Sequence, residues 1–95
     1  MSAVLQRPLR VAGVVSRELD DGEVALLGAD KEQMIVLNSV GSVVWELCDG
    51  KRSPQAIAAF IAEHTKGAGD AQVSEDVEAL LRTLVNAHFL VEGAA

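Results

Sequence analysis

The sequence predicts an α+β domain in which a three-stranded antiparallel sheet precedes three helices. Three observations carry that prediction. Val-rich segments separated by Asp- and Gly-containing turns fill the stretch from Leu9 to Leu37. Apolar residues at helical spacing take over from Val40 onwards. The run LNSVGSVVWELCDGKRSPQAIAAFIAE, Leu37 to Glu63, spells out a strand end, a helix, a tight turn and the capped start of another helix.

The first strand is expected over Leu9–Leu19, with Gly13 as an irregularity. Asp20-Asp21-Gly22 follows as a hairpin turn, because Asp and Gly tolerate the positive φ that such turns need. Glu23–Leu27 is the second strand, Gly28–Lys31 the next turn and Glu32–Leu37 the third strand. Short strands at this spacing suit an antiparallel meander.

Asn38 or Ser39 is placed to cap the first helix. Val40, Val43, Val44 and Leu47 share one face of it, and Asp49-Gly50 ends it with Gly50 in the left-handed conformation. Ser53-Pro54 opens the second helix, where proline at the first position loses no hydrogen bond. Ile57, Phe60, Ile61 and His64 fall on one face. Lys66–Asp70 reads as a flexible loop. Ser74 is expected to cap the third helix, with Glu75, Asp76 and Glu78 favoured in its first turn by the helix dipole. Its apolar stripe is Val77, Leu80, Leu81, Leu84, Val85 and His88, and Phe89-Leu90-Val91 forms an extended tail. The last two helices and their connection are winged helix-turn-helix-like. Residues 1–8 are expected as a loose arm, 9–92 as the single domain and 93–95 as a frayed tail.

A chain of 95 residues hides only a modest core. With two Phe, one Trp and no Tyr, that core must be aliphatic. One cysteine forms no internal disulfide, and no signal-peptide or membrane-span pattern is present, so the expected location is cytoplasmic.

No reactive constellation stands out. His64 and His88 lie far apart, no CxxC or HxxxH occurs, and no metal or cofactor is expected. Cys48 lies at a helix C-terminus, where the dipole opposes a thiolate, and reads as structural. The serines are explained as caps and helix surface, and the Asp20-Asp21 and Glu75-Asp76 pairs as turn and helix-start chemistry. The expectation is therefore no catalytic residue and no enzyme. Nucleic acid is disfavoured too. From Ser53 to Ala95 only Lys66 and Arg82 are basic, against six acids, and three of those acids open the helix that would face DNA.

A peptide-binding surface remains. The strand Gln33-Met34-Ile35-Val36 is apolar and free of proline, and an open edge there would accept another strand. The pattern leaves two readings, an open edge or a strand that is interior or covered by the N-terminal arm.

The chain resembles the PqqD family and the wider class of leader-recognition domains in ribosomally made, modified peptide pathways, including lasso-peptide leader-binding proteins. The resemblance rests on Leu37-Asn38, Gly41, Trp45-Glu46-Leu47, Asp49-Gly50 with Ser53 and Ile57, and Asp76-Val77, Leu80-Leu81, Leu84 and Phe89-Leu90-Val91. It implies a non-enzymatic adaptor. The leader of a precursor peptide would pair with the third strand, in the groove between that strand and the third helix. Mapped here, the peptide-binding residues are Gln33, Met34, Ile35 and Val36 from the strand, and Val77, Leu80, Leu81, Arg82 and Leu84 from the helix. Met34 and Val36 are the pair expected to face the partner, and Arg82 is expected to meet an acid on the leader. Many relatives carry aromatics before the Leu-Asn pair, where this chain has Met34 and Ile35. The second partner would be a modifying enzyme such as a radical S-adenosylmethionine protein, a protease or a cyclase. The alternative is a winged-helix regulator or a structural homodimer joined through the open edge.

Overall fold

The computed structural model describes residues 5–64 and 70–93. Within them the chain runs β1 (Pro8–Arg10), β2 (Val15–Glu18), β3 (Val24–Leu27), β4 (Met34–Leu37), α1 (Ser39–Leu47), α2 (Pro54–His64), α3 (Asp70–Asn86) and β5 (Leu90–Glu92). The expected three-stranded antiparallel sheet is present in the order β2-β3-β4. A second, two-stranded sheet joins β1 to β5. The likeness to a winged helix-turn-helix is a loose one.

The strand expected over Leu9–Leu19 is two strands in two different sheets. Between them the Val14 N–H turns back to the Val11 carbonyl, and Gly13 adopts φ 97, which a side chain would resist. β1 pairs with β5 near the end of the chain, Leu9 opposite Val91. The arm is therefore held from Gln6 onwards, since the Gln6 and Arg7 N–H groups both donate to the Glu92 carboxylate. Gly93 is held as well, donating its N–H to the Arg7 carbonyl.

The meander follows its turn chemistry. Asp21 and Gly22 have φ 62 and 78, as a hairpin turn of this kind requires. The β3–β4 turn closes when the Gly28 N–H donates to the Gln33 carbonyl at 2.9 Å, so Glu32 and Gln33 belong to the turn rather than to the strand.

α1 starts where expected. The Asn38 side chain accepts the Gly41 N–H at 2.7 Å. At its far end the Arg10 guanidinium donates to the carbonyls of Trp45 and Glu46, placing a cation on the negative end of the helix. Gly50 has φ 79, the left-handed conformation expected of it. In α2, Ser53 Oγ accepts the Ala56 N–H at 3.1 Å and Pro54 takes the first position.

α3 departs from its expected bounds at both ends. It begins at Asp70, so Ser74 lies inside it and caps nothing, and the acids from Glu75 onwards sit past the first turn. The reason is Val73, which is buried and extends the apolar stripe one turn towards the N-terminus. Apart from Asp70, the loop expected over Lys66–Asp70 lies outside the described residues. At the other end His88 takes φ 65, while the Phe89 N–H reaches the Leu84 carbonyl and the His88 N–H the Val85 carbonyl. This 6→1 and 5→2 pattern ends the helix two residues before the expected His88 and turns Phe89 into the core.

The core gathers side chains from β3, β4, the three helices and the C-terminal end of the domain. Leu26 and Leu37 come from the sheet, Val44, Trp45 and Leu47 from α1, and Ile57 and Ile61 from α2. Val73, Val77, Leu81 and Leu84 come from α3, and Phe89 and Leu90 close the end.

Candidate functional site: a strand edge beside an apolar groove

β4 pairs with β3 on one side and, among the described residues, with nothing on the other. The phase of its ladder decides what the open side offers. Opposed residues in an antiparallel pair alternate between exchanging both backbone bonds and exchanging none. The Gly28–Gln33 bond continues in register to Leu26 opposite Ile35 and Val24 opposite Leu37. Ile35 and Leu37 thus spend their backbone groups on β3. Those of Met34 and Val36 point to the free edge, ready for another strand.

The side chains alternate as well. Leu37 is buried and Ile35 half-buried on the core side, while Met34 is 65% and Val36 50% exposed. Asn38 caps α1 directly after β4, with no linker, so the first turn of α1 lies against the same edge.

A groove of about 430 Å³ runs alongside. β4 supplies Val36 and Leu37 to its wall, and α1 supplies Asn38, Val40, Gly41 and Val44. Ile61 of α2 lines it too, and α3 supplies a further wall of Val73, Asp76, Val77 and Leu80. Gly41 lets these walls approach. A Cβ there would lie 3.2 Å from Leu37 Cβ, 3.3 Å from Asn38 Oδ1 and 3.4 Å from Leu80 Cδ2.

Of the residues expected to bind a partner, Val36, Val77 and Leu80 line this groove, and Met34 sits on the edge beside it. Gln33 lies in the preceding turn and Ile35 faces the core side. Leu81 and Leu84 are 0% exposed and belong to the core, so no partner reaches them. Arg82 is exposed but does not line the groove, because two residues past Leu80 an α-helix has turned by about 200°. Sequence reasoning missed Val40, Val44, Ile61, Val73 and Asp76. Val73 and Asp76 fall with the expected Val77 and Leu80 at i, i+3, i+4 and i+7, a signal hidden by the apparent helix start at Ser74.

Cys48 is buried, and burial pushes its thiol up to about 12, with Arg10 opposing and Asp49 adding to the shift. Its S–H donates to the Val44 carbonyl at 3.2 Å, which makes it a packed structural thiol at neutral pH. Among the described residues no three His, Cys, Asp or Glu side chains gather as metal ligands, and no helix is long and apolar enough to cross a membrane.

The profile of the family described as Coenzyme PQQ synthesis protein D (PqqD) matches residues 23–90. The chain belongs to the PqqD family. No curated protein sequence matches it. Among solved structures it is similar to TbiB1 in complex with the TbiA(beta) leader peptide, at 30% identity over 92% of this chain and 99% of that one, with a TM-score of 0.75. It is also similar to lasso peptide synthetase B1 complexed with the leader peptide, at 16% identity over 90% of this chain and 98% of that one, TM-score 0.75. A third is the PqqD truncation of Methylobacterium extorquens PqqCD, described as a stand-alone recognition element for ribosomally synthesized and post-translationally modified peptides. It is 22% identical over 90% of this chain and 88% of that one, with a TM-score of 0.71. These last two likenesses carry the fold; the first, at higher identity over nearly the whole chain, carries the family as well.

Proposed function

We propose that this PqqD-family protein is a non-enzymatic adaptor that binds the leader segment of a ribosomally made precursor peptide. The leader adds as a strand to β4 and presents the rest of the precursor to a modifying enzyme. The observation that carries this reading is the open backbone of Met34 and Val36 beside an apolar groove. The leader-bound TbiB1, similar along nearly the whole chain, supports it.

The physical division of labour is simple. Backbone bonds from Met34 and Val36 hold an extended segment whatever its sequence. Selectivity comes from side chains on the helix-facing side of that segment, which enter the groove. Burying one Leu-sized anchor there contributes about 1.5–3 kcal/mol. That is modest, and it suffices, because tethering raises the concentration of the core segment at the partner enzyme. A radical S-adenosylmethionine protein, a protease or a cyclase would each fit the role of that enzyme. The same reading assigns the protein to the cytoplasm, where such precursors are made.

The test is titration of labelled leader peptides, taken from short reading frames beside the coding region, with fluorescence anisotropy as readout. Val36→Pro removes an edge donor that β3 does not use, a substitution that edge strands tolerate. It should abolish saturable binding while circular dichroism and the thermal transition show a folded domain. Should Val36→Pro bind the leader as tightly as the parent, the β4 edge is not the site.

A further inference from the structure

Among the described residues, Asp76 is the one charged side chain lining the groove. It stands on the α3 wall, between the buried Val73 and Val77 on one side and the half-buried Leu80 on the other. Its Oδ1 accepts a hydrogen bond from Gln72 Nε2 at 2.9 Å. Among the described residues no cation lies within ion-pair distance of it. Asn38, the other polar side chain lining the groove, already has its Oδ1 occupied by the Gly41 N–H. The groove thus combines apolar walls with one exposed carboxylate that has no counter-charge among the described residues. Arg82, the cation expected to read the partner, lies off this wall.

We infer that the groove selects an extended segment with a Lys or Arg an even number of residues from its apolar anchor. The inference rests on the strand-addition reading and specifies which segment that site accepts. Alternate residues of a strand face the same side. An apolar residue entering the groove and a cation meeting Asp76 must both project towards the helices, so an odd spacing would send one of them to the outer face of the sheet. An acidic residue at the same position would meet Asp76 as a like charge across a partly desolvated groove. The net charge of −6 works in the same direction, steering cationic segments to the domain and slowing acidic ones.

The test is a display library of short peptides with one fixed leucine and every other position varied, selected on the full chain and on Asp76→Lys. Asp76 is exposed, so both proteins should fold, which circular dichroism checks; Asp76→Asn is the milder variant. The parent should enrich Lys and Arg at even offsets from the leucine, Asp76→Asn should lose that preference, and Asp76→Lys should replace it with Asp and Glu. Replacing the selected cation by alanine should weaken binding to the parent by roughly twofold to fivefold, the range of a partly exposed ion pair, and leave binding to Asp76→Asn unchanged. Selected peptides that keep the leucine and lose affinity on Val36→Pro, but show no charge preference at even offsets, would overturn the inference and leave strand addition standing. Peptides insensitive to Val36→Pro would overturn both.

Discussion

Among the described residues the three-stranded sheet has two free edges, β2 and β4, and they differ in what lies on and beside them. β2 runs Val15-Ser16-Arg17-Glu18 with all four residues exposed, and carries charges of both signs. In its ladder Val15 faces Leu27 and Arg17 faces Ala25, and the Leu19 N–H continues the phase by reaching the Glu23 carbonyl. Its open backbone groups are therefore those of Ser16 and Glu18. β4 presents the same kind of backbone at Met34 and Val36, with no charged residue in the strand and an apolar groove alongside. Unpaired strand groups are common to both edges. What separates them is that charged side chains guard one, a usual defence against unwanted pairing, while α1 and α3 frame the other.

The largest effect should come from damaging the scaffold that carries both edges. Leu84 is wholly buried on α3, and Leu84→Ala should lower stability by about 2–5 kcal/mol, read as a shift of the urea midpoint. A loss far below that range would mean that α3 is not anchored through Leu84.

Next comes a matched pair of charges, one at each edge. Met34→Asp should weaken leader binding at least tenfold, about 1.4 kcal/mol, because it sets a carboxylate beside an apolar contact. Val15 is 56% exposed on β2, and Val15→Asp should leave leader affinity unchanged. Equal losses in the two variants would erase the distinction between the edges.

A smaller effect is expected at the groove wall. Gly41→Ala puts a methyl group against Leu37, Asn38 Oδ1 and Leu80. It should cost about 1 kcal/mol through crowding and reduce affinity for a leader with a bulky anchor more than for one with alanine there. Identical affinity changes for the two leaders would show that the anchor does not pass Gly41.

At neutral pH the smallest effect belongs to Cys48. Its raised pKa means that the folded thiol stays protonated while the thiol of the unfolded chain ionises above about pH 9. Stability from this group is therefore fully present below pH 9 and falls as pH rises towards 12. Denaturation midpoints across that window should fall more steeply for the parent than for Cys48→Ala.

Much of this comparison was legible in the sequence, for local reasons. Asn38, Ser53-Pro54, Asp21-Gly22 and Gly50 act through neighbours one to four residues away, so their roles follow from residue type and spacing. The outward facing of Met34 and Val36 follows from the period of a strand. The misreadings have non-local causes. Leu9 and Arg10 look continuous with Val15–Glu18, and only pairing with Leu90–Glu92, at the far end of the chain, draws them into a separate sheet. Ser74 with its acids imitates a helix start, and the packing of Val73 overrides it. Leu80, Leu81 and Leu84 read alike as one apolar stripe. Which of them faces the groove and which the core depends on where α1 and β4 sit across from α3. The same packing brings Ile61 and Asp76 into one groove, which no local spacing announces.

The most direct measurement is amide hydrogen exchange, residue by residue by NMR, with and without a bound leader. In the free protein Ile35 and Leu37 should be protected and Met34 and Val36 open to exchange. Leader addition should protect Met34 and Val36 and leave Ser16 and Glu18 on β2 exchanging as before. Saturable binding with Met34 and Val36 unchanged, or with protection appearing at Ser16 and Glu18 instead, would contradict strand addition at β4.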